Sequence, residues 1–368
     1  MKLALIRQHY RPDGGAERFV SRALQQLGQQ QNLEVSIITR GWANSSQSDY
    51  QVLICNPAKR GRISRERDFA EAAMALVQQQ GFDLVQSHER IPGCSLYRAG
   101  DGVHREWLNQ RSKVLSPLAR WWQEHDPYHR YVLASERAMF EHPNLRAVIC
   151  NSEMVRQDIL RHFRIAPDKL RLIYNGVDRQ RFHPGHRQAG QTIRRQLGIP
   201  PQAHSLLFVG SGFMRKGLQT LLEALPLLER HYHLIVVGKD KQQRQYQQWC
   251  QRQGLASRVH FVGVQQDVTP YYGAADALVH PALYDPFPNV IWEALACGVP
   301  VFTTPSCGGA ELLLQPEQGS VFATLNAAAL AQQLRQLPPV STEALLDSNL
   351  CLVPQQALLN LYQELLES

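Results

Sequence analysis

The sequence predicts an α/β fold of two doubly wound, Rossmann-like domains, and three observations predict it. At 368 residues the chain exceeds what one ordinary core organises and suits two domains. Continuous apolar runs of strand length alternate with helix-length stretches in both halves, the pattern of parallel sheets covered on both faces. The alternation breaks near 175–204, where Asn-Gly, His-Pro-Gly and Pro-Pro punctuate a polar stretch.

In the first half the strand-like runs are Leu3–Ile6, Glu34–Thr39, Asp83–Gln86, Ala147–Asn151 and Leu172–Tyr174, with a further strand end ahead of Asp101. Ala16–Gln29 reads as a helix. The second half offers Ser205–Gly210, His233–Gly238, Val259–Val262, Ala277–His280 and Pro300–Thr303 as strands. Leu218–Arg230 reads as a helix with Leu218, Leu221 and Leu222 on one side. The Gln-rich stretches Gln25–Gln31 and Gln242–Gln253 read as solvated helix faces, because apolar residues keep interrupting them. Pro354–Leu366 is helical and apolar on one side. This divides the chain into 1–185, 186–350 and a terminal helix, 351–368. Two such domains facing a central cleft would bind ligands outside the carboxyl ends of their strands.

Composition narrows the class. A hydrophobic fraction of 44% and a charged fraction of 19% are those of a folded soluble protein. No apolar run approaches the roughly 18 residues that span a bilayer, and the opening MKLALIRQHYRP reads as a first strand, not a signal peptide. Seven cysteines are scattered singly without a Cys-x-x-Cys pair, which predicts reduced thiols, a cytoplasmic location and no zinc site. The net charge of +7 is unevenly placed: residues 1–185 hold 27 Lys and Arg against 19 Asp and Glu. An anionic partner for the first half follows, with nucleic acid, anionic lipid and phosphorylated glycan all open at this point.

The motif YDPFPNVIWEALACGVP, Tyr284 to Pro300, sets Asp285 and Glu293 eight positions apart. Pro286 and Pro288 place Asp285 in a loop and Glu293 on the helix that follows. Pro288, Asn289 and Val290 then open that helix, where backbone N–H groups welcome an anion. Carboxylates hold hydroxyls and a helix end holds phosphate, so the motif suits a sugar nucleotide. Arg215 and Lys216 stand at a strand-to-helix junction, a place that disfavours cations unless an anion is present. They can clamp a diphosphate and stabilise it as it leaves, against the plainer reading of exposed surface cations.

Gly14 and Gly15 end the loop after the first strand, where they would let backbone approach a phosphate; read alone they are equally a tight turn. No G-x-G-x-x-G occurs, which counts against a nicotinamide or flavin enzyme. Asp101, His88 and His104 are candidates to take a proton from an incoming hydroxyl, against the plainer readings of a turn Asp and two satisfied histidines. Residues 104–131 hold three tryptophans, two tyrosines and five Lys or Arg against three acids, and Lys59–Arg67 adds five cations. Interleaved Trp, Tyr and cation fit an anionic membrane surface better than the plainer readings, an ordinary amphipathic helix with aromatic packing or a nucleic-acid-binding loop, the latter without an RNA-binding signature.

With these residues in view, the chain resembles the retaining glycosyltransferases of family four, which have the GT-B fold. The likeness runs nearly end to end: the Gly14-Gly15 loop, Asn175-Gly-Val-Asp178, VGSGFMRKG, VVGKD and HPALYDPFPNVIWEALACGVPV. Within that family it is most similar to bacterial lipopolysaccharide core glucosyltransferases acting on inner-core heptose, through GGAER, IPGCSLYRAGD and the aromatic, basic insertion.

The resemblance implies a UDP-sugar donor, UDP-glucose first, with no metal cofactor. Arg215 and Lys216 would hold the diphosphate, Asp285 the sugar hydroxyls and Glu293 the ribose. Asn289, Val290 and Gly15 would give N–H groups to phosphate, the base would lie near Val262–Val264, and Asp101 would sit on the acceptor side. It also implies a terminal helix returning to the first domain, and a monomer peripheral on the inner face of the inner membrane. The alternatives are a family member acting on an exopolysaccharide or lipid-carrier glycan, and a sugar-nucleotide epimerase. At the first acidic position the family usually has Glu; here it is Asp285.

Overall fold

A computed structural model describes residues 2–9, 34–41, 51–346 and 348–367, the last helix by its backbone alone up to residue 355. The expected helix Ala16–Gln29 and the Gly14-Gly15 loop lie outside these residues. The chain forms two compact units, Met1–Gly176 with Leu352–Ser368, and Val177–Cys351.

The first unit carries a seven-stranded parallel sheet. Its strands are β1 Lys2–Ile6, β2 Glu34–Thr39, β3 Gln51–Ile54, β4 Leu84–Ser87, β5 Leu96–Arg98, β6 Ala147–Cys150 and β7 Leu170–Leu172, in the order β3-β2-β1-β4-β5-β6-β7. Successive side chains of a strand leave on opposite faces. Accordingly Ala4 and Ile6 enter a core with Phe69, Tyr97, Met139 and Phe140, whereas Leu3 and Leu5 enter a second core on the other face. The terminal helix Ser348–Glu367 covers that second face with Leu358, Leu361, Tyr362 and Leu365, and the Tyr362 hydroxyl reaches Gln86 Oε1 at 2.6 Å.

The second unit holds a six-stranded parallel sheet. Its strands are β8 His204–Val209, β9 Tyr232–Val237, β10 Val259–Gly263, β11 Ala277–His280, β12 Val301–Thr303 and β13 Gly319–Val321, in the order β10-β9-β8-β11-β12-β13. One face buries Leu206, Phe208, Leu234 and Val236 against the helices Leu218–Ala224 and Ala327–Leu334.

Two doubly wound parallel sheets are what the alternation predicts. Strands β3 and β13 escape the sequence reading because both are edges of three or four residues with few buried side chains. The last strand of the first unit is Leu170–Leu172, not Leu172–Tyr174, since its apolar residues are too few to fix register. The helix expected over Leu218–Arg230 stops at Ala224 and tightens into a 3₁₀ turn, Leu225–Leu227, because Pro226 has no N–H for the helical ladder.

Candidate active site

In an open parallel sheet ligands bind where strand order reverses, outside the carboxyl ends of the two strands concerned. In the second unit that point lies between β8 and β11. The loop leaving β8 carries Arg215 and Lys216, and the loop leaving β11 carries Asp285. Gly217 ends the first loop at φ 75°, and a Cβ there would stand 1.8 Å from the Pro281 carbonyl oxygen. Only glycine fits, so the two loops touch backbone to backbone. The Arg215 carbonyl accepts from Leu283 N at 2.9 Å, and the Arg215 guanidinium donates to Tyr284 O at 3.2 Å.

This docking gathers four side chains. Lys216 Nζ lies 2.9 Å from Asp285 Oδ2, Arg215 Nη1 3.4 Å from Asp285 Oδ1, and His280 Nε2 3.1 Å from Asp285 Oδ2. The Asp285 side chain is 8% exposed, His280 is fully buried and Arg215 is 39% exposed. Asp285 is fixed through its backbone too, its N–H on Ser306 O and its carbonyl accepting from Gly308 N. Burial works against the ionised carboxylate, but Lys216, the His280 hydrogen bond and Arg215 outweigh it and hold Asp285 well below the usual carboxylate range. Burial and Lys216 push His280 down to about 4 against the pull of Asp285, so the imidazole is neutral and its Nε2–H donates. Two cations against one carboxylate leave one positive charge in excess, at a partly exposed guanidinium.

The helix after the second loop runs Asn289–Ala296, with Pro288 at its N-cap and no side-chain cap. Glu293 lies one turn in and accepts from the Tyr272 hydroxyl at 2.7 Å. That phenol is raised well above its ordinary value by burial and by Glu293, so it stays a donor. The adjacent Trp292 is fully buried and locks the helix. Val264 is 62% exposed just beyond β10, which occupies the far edge of the sheet. The structure therefore brings Arg215, Lys216 and Asp285 together and sets Pro288, Asn289, Val290 and Glu293 on the next helix. Neither His280 nor Tyr272 stands out in the sequence, where His280 reads as the end of a strand.

The first unit reverses strand order between β1 and β4. There Arg7 Nη1 lies 3.2 Å from His88 Nδ1, Gln86 lies 2.9 Å from His88 Nε2, and Glu89 accepts from Gln8 N at 2.9 Å. His88 is 7% exposed, and burial together with Arg7 and Arg98 holds its imidazole well below the ordinary value. Asp101 is exposed in the turn after β5. His104 opens the helix His104–Ser112, its N–H on the fully buried Glu136 carboxylate at 3.0 Å, which also pairs with Arg90 at 2.9 Å. Its imidazole contacts His129 at 3.1 Å and is pushed down to about 3 by burial, with Arg90 and His129 adding. Glu136 and Arg90, which the sequence did not single out, thus place the His104 helix.

A small cavity of about 40 Å³ lies beside this cluster, lined by Gln8, Glu66, Glu89, Arg90, Tyr128 and Tyr131 among others. The helix Pro117–His125 reverses ordinary amphipathicity. Leu118, Trp121, Trp122 and His125 form its i, i+3, i+4, i+7 stripe and face outward, Leu118 69% and Trp122 63% exposed. The buried residue of this helix is Gln123, bonded to Leu108 O at 3.1 Å. No helix among the described residues is long and apolar enough to cross a membrane.

Comparison with known proteins agrees with this architecture. Residues 13–181 match the family model Glycosyltransferase Family 4, and residues 203–338 match that of Glycosyl transferases group 1. The lipopolysaccharide glucosyltransferase WaaG of Escherichia coli K12 is 28% identical over 328 residues, covering 88% of this chain and 85% of that one. A D-inositol 3-phosphate glycosyltransferase of Corynebacterium jeikeium is 26% identical over 84% of this chain and 81% of its own. A crystal structure of WaaG superposes with a TM-score of 0.76 at 26% identity, covering 98% of this chain and 95% of that one. HepE of Anabaena, solved with UDP and glucose, shares the fold at a TM-score of 0.70 and 19% identity over 99% of this chain and 100% of that one. With two GT-B-type sheets, a cation pair at the second switch point and family models matching in both halves, the chain belongs to the family-four glycosyltransferases.

Proposed function

We propose that the chain transfers a hexose, glucose in the first instance, from a UDP-sugar to a heptose of the lipopolysaccharide inner core, with retention of configuration. The observation that carries this reading is the Arg215–Lys216–Asp285 cluster, which combines excess positive charge for a diphosphate with a carboxylate for sugar hydroxyls. Arg215 and Lys216 take the charge that grows on the leaving diphosphate, the work a metal does elsewhere. Asn289 and Val290 add N–H groups from the helix end, Glu293 holds the ribose, and Val264 borders the base. Asp101 belongs to the acceptor side. The acceptor hydroxyl attacks from the face the diphosphate leaves, and no residue is assigned as a covalent nucleophile.

Similarity to a lipopolysaccharide glucosyltransferase over most of the chain supports the acceptor class. So does a shorter match, 31% over 144 residues, to the lipopolysaccharide core biosynthesis glycosyltransferase LpsE of Rhizobium meliloti. The outward Leu118-Trp121-Trp122 stripe among cations fits a monomer resting on the anionic cytoplasmic face of the inner membrane. The match to inositol-phosphate enzymes favours one second reading, a phosphorylated polyol as acceptor with the same donor site.

Thermal-shift measurements with UDP, UDP-glucose, UDP-galactose, UDP-N-acetylglucosamine, GDP-mannose and ADP-heptose test the donor. Stabilisation is expected to be greatest for UDP-glucose. Transfer of labelled glucose to heptose-terminated core, and none to inositol phosphate, tests the acceptor. Preference for a guanosine or adenosine sugar refutes the donor assignment.

A further inference from the structure

The chemistry proposed above uses Arg215, Lys216 and Asp285 but leaves His280 without a part. His280 is the last residue of β11, in the interior of the sheet, paired in register with Thr303 of β12. Its carbonyl accepts from Thr303 Oγ1 at 2.8 Å and from Ala282 N at 2.9 Å. The side chain is fully buried, its Nδ1 has no hydrogen-bond partner among the described residues, and its Nε2–H serves Asp285 Oδ2. An apolar side chain would fill that site without stranding a nitrogen, so packing alone does not account for an imidazole here.

What the imidazole adds is direction. Asp285 Oδ2 takes two donors, His280 from the sheet and Lys216 from the facing loop, which turns Oδ1 toward Arg215. A carboxylate on a loop has free rotation about two bonds, and a donor anchored in the sheet removes it. The same geometry makes a diphosphate share Lys216 and Arg215 with a carboxylate whose position is fixed.

Resting on the donor-site reading, we propose that His280 is a positioning residue for the transfer, pinning the Asp285 carboxylate between Lys216 and Arg215. Asp285 thereby tempers the hold of those cations on the diphosphate while keeping one oxygen oriented for the sugar. His280 does not touch the reacting atoms; it acts through Asp285.

The test compares His280→Gln, His280→Asn and His280→Leu in glucose transfer from UDP-glucose, with UDP affinity by calorimetry and melting temperature measured in parallel. Gln reaches Asp285 with an N–H, Asn is too short, and Leu has no donor. Expected is a kcat lowered roughly 10- to 100-fold in Asn and Leu, with donor KM within about threefold, and recovery of most of kcat in Gln. If Leu does not fold, the Gln and Asn pair decides alone. Equal kcat in Gln and Asn overturns the proposal, and so does a loss that tracks melting temperature across all three.

Asp285→Asn supplies an independent arm. Removing the charge while keeping the shape is expected to tighten UDP several-fold and to slow transfer; weaker UDP binding in that variant overturns the tempering role. Failure of the underlying reading looks different: Lys216→Ala would leave UDP affinity unchanged.

Discussion

The two switch points of this protein are built from the same topology and use their charges differently. In the second unit, two cations converge on one carboxylate and one of them, Arg215, stays partly exposed, so the cluster retains charge to offer a ligand. Among the described residues of the first unit, the ion pair near the switch point is turned inward. Arg90 is paired with Glu136, Glu136 also holds the His104 N–H, and His88 is enclosed by Arg7 and Gln86. Similar residue types thus leave a partly exposed cation in one unit and fix a helix start in the other. The difference lies in exposure: Glu136 is fully buried with its Arg90 partner 21% exposed, whereas Arg215 is 39% exposed.

The comparison breaks most visibly at Lys216. Lys216→Ala is expected to lower transfer on the order of 10²- to 10³-fold, the scale of losing one preorganised donor to a developing anion, with a little-changed melting temperature. Turnover near wild type would move the donor site elsewhere. The converse is expected at Glu136. Glu136→Gln leaves the part-buried Arg90 without its counter-ion, at a cost of up to about 3 kcal/mol, so unfolding of the first unit is the readout that moves most. Intact stability in that variant would show that Arg90 finds water or another partner.

Acid sharpens the same contrast. His104 titrates near 3 in the folded chain against an ordinary 6.5, so the unfolded chain binds its proton first as pH falls. Stability from this group is complete above about 6.5 and is lost progressively down to about 3. Denaturant titrations between pH 7 and 4 are expected to show a downward slope, shallower in His104→Gln; an unchanged slope would assign the loss to other groups. Asp285 adds to this only at lower pH, because its folded value lies below the ordinary 3.8.

The smallest effect on the fold is expected at the exposed stripe. Trp121→Ser with Trp122→Ser should change stability by no more than about 0.5 kcal/mol, since neither ring is buried. Flotation with vesicles containing anionic lipid should nonetheless fall strongly. Undiminished flotation would remove the stripe from the membrane assignment.

The sequence by itself determined the two parallel sheets, because continuous apolar runs alternating with helices have few other ways to bury themselves. It also singled out Arg215, Lys216 and Asp285, which the fold brings together, since cations at a helix start and a carboxylate in a Pro-flanked loop are locally anomalous without a ligand. The short edge strands β3 and β13 were not legible, having too little buried surface to leave a periodic signal. Nor were the partners of those anomalous residues. His280, 65 residues from Arg215, meets the cation pair through Asp285 only because β8 and β11 are neighbours, and Glu136 meets His104 only because two helices cross. Which charges remain available to a ligand is decided by burial and by contacts distant in sequence, and both exist only once the sheets have formed.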